Sequence, residues 1–279
     1  MRKINIAELT EVVKRLCIES CASLNKDVTG ALKMAIEKEE SPSGKRILEQ
    51  LLENEALARK EKIALCQDTG ITLVYLEIGQ DAHFIGGDLK DAIQEGVRQG
   101  YKEGYLRKSV CHPLTRRNTG DNTPAMLHFD IVPGDRIKIT IMPKGAGSEN
   151  MSTAKVLTPA AGLDGIKKYV CKVVERAAIN TCAPLIIGIG IGGTLDVAAL
   201  LAKKALFRPI GKRSSDEKIA ELEREWLNMI NELGFGPLGL GGTTTCLDVH
   251  IETMPCHIAS LPVAINIGCH AHRLKSAVI

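Results

Sequence analysis

Aromatic side chains are scarce. Phe, Trp and Tyr make up only 3% of the 279 residues, so the interior has to rest on Ile, Leu, Val and Ala. Long apolar runs are missing too: a membrane span needs about 20 apolar residues, and the greasiest stretch, Ala183 to Ile191, is short and broken by glycine. No opening segment combines a basic start with a long apolar core, so neither a secretory leader nor a membrane location is expected. Charge of one sign is not in excess, with 36 basic against 33 acidic residues and a net +3. That balance argues against an extensive nucleic-acid-binding surface, yet leaves room for a local basic pocket that takes a small anion. Nine cysteines, an odd number without paired spacing, form no disulfide framework and point to a reducing cytoplasm. Internal repeats and low-complexity linkers are absent as well.

The length fits one large domain, or two intimately packed subdomains, with a substantial core. Apolar spacing predicts helices from Ile6 to Glu39 with a break at Asn25 to Thr29, and a third helix starting at Ser41-Pro42-Ser43. Further helices are expected over Asp88 to Gly104, Gly162 to Asn180, Thr194 to Leu206 and Ser214 to Leu233. Strands are expected over Thr72 to Ile78, Met126 to Val132, Arg136 to Met142, Pro184 to Ile191, Leu247 to Glu252 and Val263 to Ile267. Pro133-Gly134-Asp135 reads as a hairpin turn that pairs its two flanking strands antiparallel. Mixed strand directions with interspersed helices predict an α/β, mixed α+β fold, with mixed sheets layered against helices.

Three cysteines sit in turns beside strand-like runs. Cys66 lies in Leu65-Cys66-Gln67-Asp68-Thr69-Gly70, Cys182 in Asn180-Thr181-Cys182-Ala183-Pro184, and Cys269 in Gly268-Cys269-His270-Ala271-His272-Arg273. Three such thiolates converging on one centre would be one short of the four that saturate an ordinary iron–sulphur cluster, leaving one iron open to substrate. Other cysteines have blander explanations. Cys17 and Cys21 are four apart on a helix among apolar neighbours and read as buried small hydrophobes. Cys111, Cys171, Cys246 and Cys256 are harder to set aside, and the residues alone do not select three ligands out of nine. Gly188-Ile189-Gly190-Ile191-Gly192-Gly193 fits G-x-G-x-x-G, but no second strand ending in an acidic residue follows it; tight packing of a helix on a strand is the better reading.

Taken together, the CQDTG run at 66–70, the Lys144-Gly145-Ala146-Gly147-Ser148-Glu149-Asn150 loop, the Gly239 to Thr245 loop, and His257 followed by Cys269 resemble the alpha subunit of class I, iron-sulphur-dependent fumarate hydratase. The related tartrate dehydratase alpha subunit shares much of this pattern. The resemblance spans nearly the whole of residues 1–279 and implies one alpha-type hydro-lyase domain carrying a [4Fe-4S] cluster. It matches Cys66, Cys182 and Cys269 one by one to the cluster ligands. Asp68 and His257 are implied as catalytic residues, with Thr243, Thr244 and Thr245 expected near His257. Gln67, Arg107, Lys144, Gly145, Ala146 and Gly147 are implied to bind substrate.

Each of these also has an ordinary reading. Asp68 suits a turn cap, Arg107 a solvated helix end, the 144–150 loop a connection, and a lone histidine a structural post. The glycine-rich loop reads as an anion cradle at a helix N-terminus, and the planar fork of Arg107 as a match for a carboxylate. The expected reaction is reversible hydration of fumarate to (S)-malate, a tricarboxylic acid cycle step. L-tartrate dehydration is the alternative within the same chemistry, and a non-catalytic metal-binding structural subunit the alternative outside it. Only ten residues follow Cys269, whereas single-chain relatives continue into a second domain. A separate beta subunit is therefore expected to complete the site, touching Gly236 to Gly242, in a dimer of alpha–beta pairs.

Overall fold

The structure, a computed structural model, describes residues 2–279. In chain order its elements are β1 (Arg2–Asn5), α1 (Ile6–Ala22), α2 (Lys26–Lys38), α3 (Pro42–Glu61), β2 (Ile71–Gly79), β3 (Ala82–Ile85), α4 (Leu89–Glu103), β4 (Met126–Val132) and β5 (Ile137–Lys144). They continue with α5 (Ala146–Glu149), β6 (Thr153–Leu157), α6 (Gly162–Asn180), β7 (Leu185–Gly193), α7 (Leu195–Ala205), α8 (Glu217–Glu232), β8 (Cys246–Cys256), β9 (Leu261–Gly268) and β10 (Lys275–Val278). Two compact units result. Unit 1 holds the described residues up to Asn25, with Asn54–Ala146 and Arg273–Ile279; unit 2 holds Lys26–Glu53 and Gly147–His272.

Unit 1 packs α1 and α4 on a four-stranded sheet of order β10-β5-β2-β4. Asn5 caps α1 by accepting from the Ala7 amide, and Asp88 caps α4 by accepting from the Asp91 amide. Leu9, Val13, Leu16 and Cys17 of α1 meet Ile93, Val97 and Tyr101 of α4 over Val74, Leu76, Ile137, Ile139 and Ile141 of the sheet. The two helices approach closely because α4 presents glycine to α1. A Cβ on Gly96 would stand 2.7 Å from the Thr10 carbonyl oxygen, and one on Gly100 2.8 Å from Cys17 Cβ. Burial of Cys17 and Cys21 in this layer agrees with the small-hydrophobe reading.

The expected pairing of the strands flanking Pro133 to Asp135 is corrected here. β4 and β5 do run in opposite directions, but β2 lies between them, parallel to β4 and antiparallel to β5. The turn between β4 and β5 must therefore bridge a third strand, and Gly79 makes room for it: a Cβ there would stand 2.5 Å from the Gly134 carbonyl oxygen.

Unit 2 is a sheet of order β6-β9-β7-β8 with helices on both faces. Leu185, Ile187 and Ile189 of β7 join Val249, Ile251, Val263, Ile265 and Ile267 under α6 and α8, where Trp226 and Ile230 are fully buried. The opposite face carries α7, whose Ala198 and Ala202 pack on Ala264. A Cβ on Gly188 would sit 2.2 Å from the Ala202 carbonyl oxygen, and one on Gly190 2.0 Å from that of Ala198. The glycine pattern at 188–193 thus serves close helix-on-strand contact. Two fully buried carboxylates hold the loop before α8: Asp248 accepts from the Gly211 amide at 2.6 Å and pairs with Arg213 at 2.6 Å, and Glu223 accepts from the Ser214 amide at 3.0 Å while pairing with Arg208.

Candidate active site

In unit 1 the antiparallel partners β2 and β5 set the geometry. Ile71, the first residue of β2, pairs with Lys144, the last of β5, so the turn before β2 and the loop after β5 leave the sheet at the same end. Cys66, Gln67 and Asp68 are on the first; Lys144, Gly145 and Ala146 are on the second. The Asp68 carboxylate joins them, Oδ1 accepting from the Gly70 amide at 3.0 Å and Oδ2 from the Ala146 amide at 2.8 Å.

Buried side chains hold this turn in place. The Tyr101 hydroxyl donates to the Thr69 carbonyl at 2.7 Å, Asn122 Nδ2 donates to the Gly70 carbonyl at 3.2 Å, and Thr69 Oγ1 donates to the Arg107 carbonyl at 2.8 Å. Arg107 is thereby brought to the same end of the sheet with its side chain exposed. Gln67 is also exposed, and Cys66 and Asp68 are half-buried.

A further residue belongs to this group. Arg273 is 3% exposed, and its Nη1 donates to the Asp68 carbonyl at 2.7 Å while its buried Nε has no partner. Gly145 leaves space for both: a Cβ there would meet Asp68 Oδ2 at 3.1 Å and Arg273 Nη2 at 3.5 Å. The sequence signal for Arg273 is its place four residues beyond Cys269, but nothing in the spacing singles it out. Close by, burial pushes the Cys21 thiol up to about 11 despite the Arg273 charge.

The 144–150 loop departs from the anion-cradle reading. The helix that follows it, α5, is a single four-residue turn leading into β6, and its first amide donates to Asp68. The chain supplies its own anion there.

In unit 2 the sheet brings together two of the three cysteines. β7 begins just after Cys182 and pairs antiparallel with β9, which ends just before Cys269; Ile186 pairs with Gly268. His270 bridges them, its amide and Nδ1 lying 3.3 and 3.1 Å from the Cys182 carbonyl oxygen. Thr243, Thr244 and Thr245 precede β8 at this same end, where the Thr245 carbonyl accepts from the Leu185 amide at 2.8 Å. Buried Glu39 fixes that loop, accepting from the amides of Ser41, Thr243 and Thr244 at 3.0, 2.9 and 2.8 Å.

His257 is elsewhere. It follows β8, whose eleven residues run parallel to β7 from Cys246 beside Leu185 to Cys256 beside Gly193. At about 3.3 Å per residue, the ring lies on the order of 35 Å along the strand from Thr245. The expected neighbourhood of His257 with Thr243 to Thr245 is corrected accordingly: a long extended strand separates them.

None of the nine cysteines is in a disulfide. Cys17, Cys21 and Cys246 are buried, whereas Cys66 and Cys269 are half-buried and Cys182 is exposed. Among the described residues, no three His, Cys, Asp or Glu side chains stand together as a metal-holding group. The donor chemistry of Cys66, Cys182 and Cys269 nonetheless fits a cluster: three thiols outside any disulfide, half-buried or exposed, on turns. A groove of 530 Å³ in unit 2, along Lys167, Cys171 and Glu175 of α6 beside Met229 of α8, has none of the candidate residues in its lining.

The family model described as "Fumarate hydratase (Fumerase)" matches residues 10–278. The chain belongs to the fumarate hydratase family. This family also takes in tartrate dehydratase alpha subunits, and its members are hydro-lyases. A protein of Methanocaldococcus jannaschii, provisionally named L(+)-tartrate dehydratase subunit alpha, is 46% identical over 272 residues, covering 95% of each chain. The L(+)-tartrate dehydratase subunit alpha of Escherichia coli strain UTI89 is 33% identical across 96% of this chain and 89% of its own length. That of strain K12 is 32% identical across 98% and 91%. Among the described residues of this fumarate hydratase family chain, no helix is long and apolar enough to cross a membrane.

Proposed function

We propose that the chain is the alpha subunit of an iron–sulphur hydro-lyase that reversibly hydrates fumarate to (S)-malate. The observation that carries this reading is the Asp68 carboxylate, oriented through both oxygens by backbone amides and standing two residues from the half-exposed Cys66 thiol. Cys66, Cys182 and Cys269 are the residues that would hold a [4Fe-4S] cluster. When bound, such a cluster supplies a Lewis-acidic iron for a carboxylate and a hydroxyl oxygen.

The chain's own side chains divide the remaining work. Arg107 presents a planar fork to one substrate carboxylate, and Gln67 orients the substrate by hydrogen bonding. Asp68 exchanges the proton of the departing or entering hydroxyl. Lys144, Gly145 and Gly147 line the approach, and the Ala146 amide positions Asp68. A role for His257 rests on family resemblance alone. The group that handles the carbon-bound proton comes from a separate beta subunit, in keeping with relatives named as alpha subunits.

Dehydration of L(+)-tartrate is the second reading, favoured by the names of those relatives. One experiment separates the two: the chain is combined anaerobically with its beta-type partner, iron is quantified, and both substrates are assayed. A higher kcat/KM on fumarate supports the first reading and a higher value on tartrate the second. An air-stable, colourless complex inactive on both would overturn them together.

A further inference from the structure

Strand β4 is an edge of the unit 1 sheet, with β2 on one side and, among the described residues, no strand on the other. An edge strand offers a row of N–H and C=O groups to any passing strand, and proteins usually blunt it with lysine, proline, charge or brevity. The other edges of the two four-stranded sheets follow that rule: β10 is four residues long with Lys275, β6 carries Lys155, and β8 carries Asp248, Glu252 and Pro255. β4 is the least protected of them. Its seven residues, MLHFDIV, include no Lys, Arg, Pro or Gly, and its one acid, Asp130, is bonded by the Tyr75 hydroxyl.

The strand is also firmly held and apolar. Gln94 Oε1 accepts from the Ala125 amide at 2.7 Å just before it, and the Val132 carbonyl accepts from the Gln80 amide at 2.9 Å at its end. Ile131 is nevertheless 69% exposed, Met126 42% and Phe129 37%. Pairing of Val74 with Leu127, Leu76 with Phe129 and Ile78 with Ile131 puts three apolar residues on the helix-covered face. His128 and Asp130 pair with Tyr75 and Glu77 on the other face, and the Tyr75 hydroxyl bonds to Asp130.

This edge is its own complement. Laid antiparallel about a two-fold through Phe129, two copies set Phe129 against Phe129, Leu127 against Ile131, Met126 against Val132, and His128 against Asp130. Every pair matches in character, and the polar pair of a histidine with an aspartate occurs twice. Neighbouring registers that keep the faces aligned fail: a two-fold at Asp130 opposes two carboxylates, and one at His128 opposes Asp130 to Met126. We propose that β4 pairs with β4 of a second copy of this chain about a two-fold at Phe129, joining the two four-stranded sheets into one.

Sedimentation of the full-length chain tests this, with cross-linking as an independent reading of register. The chain should be a dimer. Ile131→Lys, at a position already exposed to solvent, should leave the far-UV circular dichroism spectrum unchanged and weaken self-association at least about tenfold, since the two-fold repeats the change. Phe129→Cys should give a covalent dimer on mild oxidation beyond the wild-type background, because directly opposite strand residues meet disulfide distance limits. Ile131→Cys, four positions from its own copy, should not. A monomeric wild type, a dimer indifferent to Ile131→Lys, or equal cross-linking of both cysteine variants would overturn the proposal. So would release of a different co-purifying chain by Ile131→Lys with self-association intact.

Discussion

Arg273 Nη1 donates to the carbonyl oxygen of Asp68 at 2.7 Å, tying a residue near the end of the chain to the turn that opens β2, 205 positions earlier. The buried guanidinium thereby holds the backbone of the proposed acid while the amides of Gly70 and Ala146 hold its carboxylate. Position and chemistry of Asp68 are fixed by different groups, so they can be perturbed separately.

Asp68→Asn keeps the shape but removes the titrating group and one amide acceptor. Turnover should fall by roughly a hundredfold or more with iron content retained. Arg107→Lys should instead raise KM with a smaller change in kcat, because a point charge cannot reproduce the bidentate fork. Steady-state kinetics on the reconstituted complex distinguishes the two.

Serine at Cys66, Cys182 or Cys269 should each abolish iron retention under anaerobic reconstitution. Cys17→Ser should leave iron near normal, since that thiol is sealed in the α1–α4 layer and burial pushes it well up. Iron per chain and the visible absorption band are the readouts.

Glu39 should carry an acid-sensitive share of stability. Burial opposes its charged form, but hydrogen bonds from Ser41, Thr243 and Thr244 outweigh that and hold the carboxyl below its ordinary value. The folded chain thus takes up the proton less readily than the unfolded chain. The stabilisation is complete above the unfolded value of about 4.3 and fades as pH falls through the lower folded value. Glu39→Gln should cost about 1–3 kcal/mol at neutral pH, and urea midpoints of the two proteins should converge in acid.

Gly190→Ala should destabilise by about 3 kcal/mol, because its Cβ would stand 2.0 Å from a backbone oxygen of α7. Gly30→Ala, with no atom within 4 Å on α2, should stabilise by about 0.5–1 kcal/mol. Thermal melts of the two variants check both signs.

Helical stripes made most of the fold legible in advance: α4, α6, α7 and α8 lie within a few residues of the spans their apolar spacing marks. The short strands β1, β3, β6 and β10 were not legible, since four or five residues carry too little alternation. Neighbour order in the unit 1 sheet was hidden as well. A Pro-Gly-Asp turn between two strands looks the same whether they touch or enclose a third, and the close approach at Gly79 exists only in three dimensions.

At the site, Cys66 to Asp68 stood out because polar residues interrupt a periodic pattern there. Arg273 did not, because its meaning comes from the atoms it reaches. The distance of His257 from Thr243 to Thr245 was equally hidden, since only the full extent of β8 reveals it.

The slot that β2 fills between β4 and β5 also bears on how the chain reaches this fold. β4 and β5 cannot zip together from their turn in microseconds as an isolated hairpin does; β2, from some fifty residues earlier, must arrive first. Closure of that larger loop is entropically costly, so the unit 1 sheet should be a slow step in refolding. During synthesis it also lacks its β10 edge until residues 275–278 have left the ribosome, so from its own emergence until then β5 has one side unpaired.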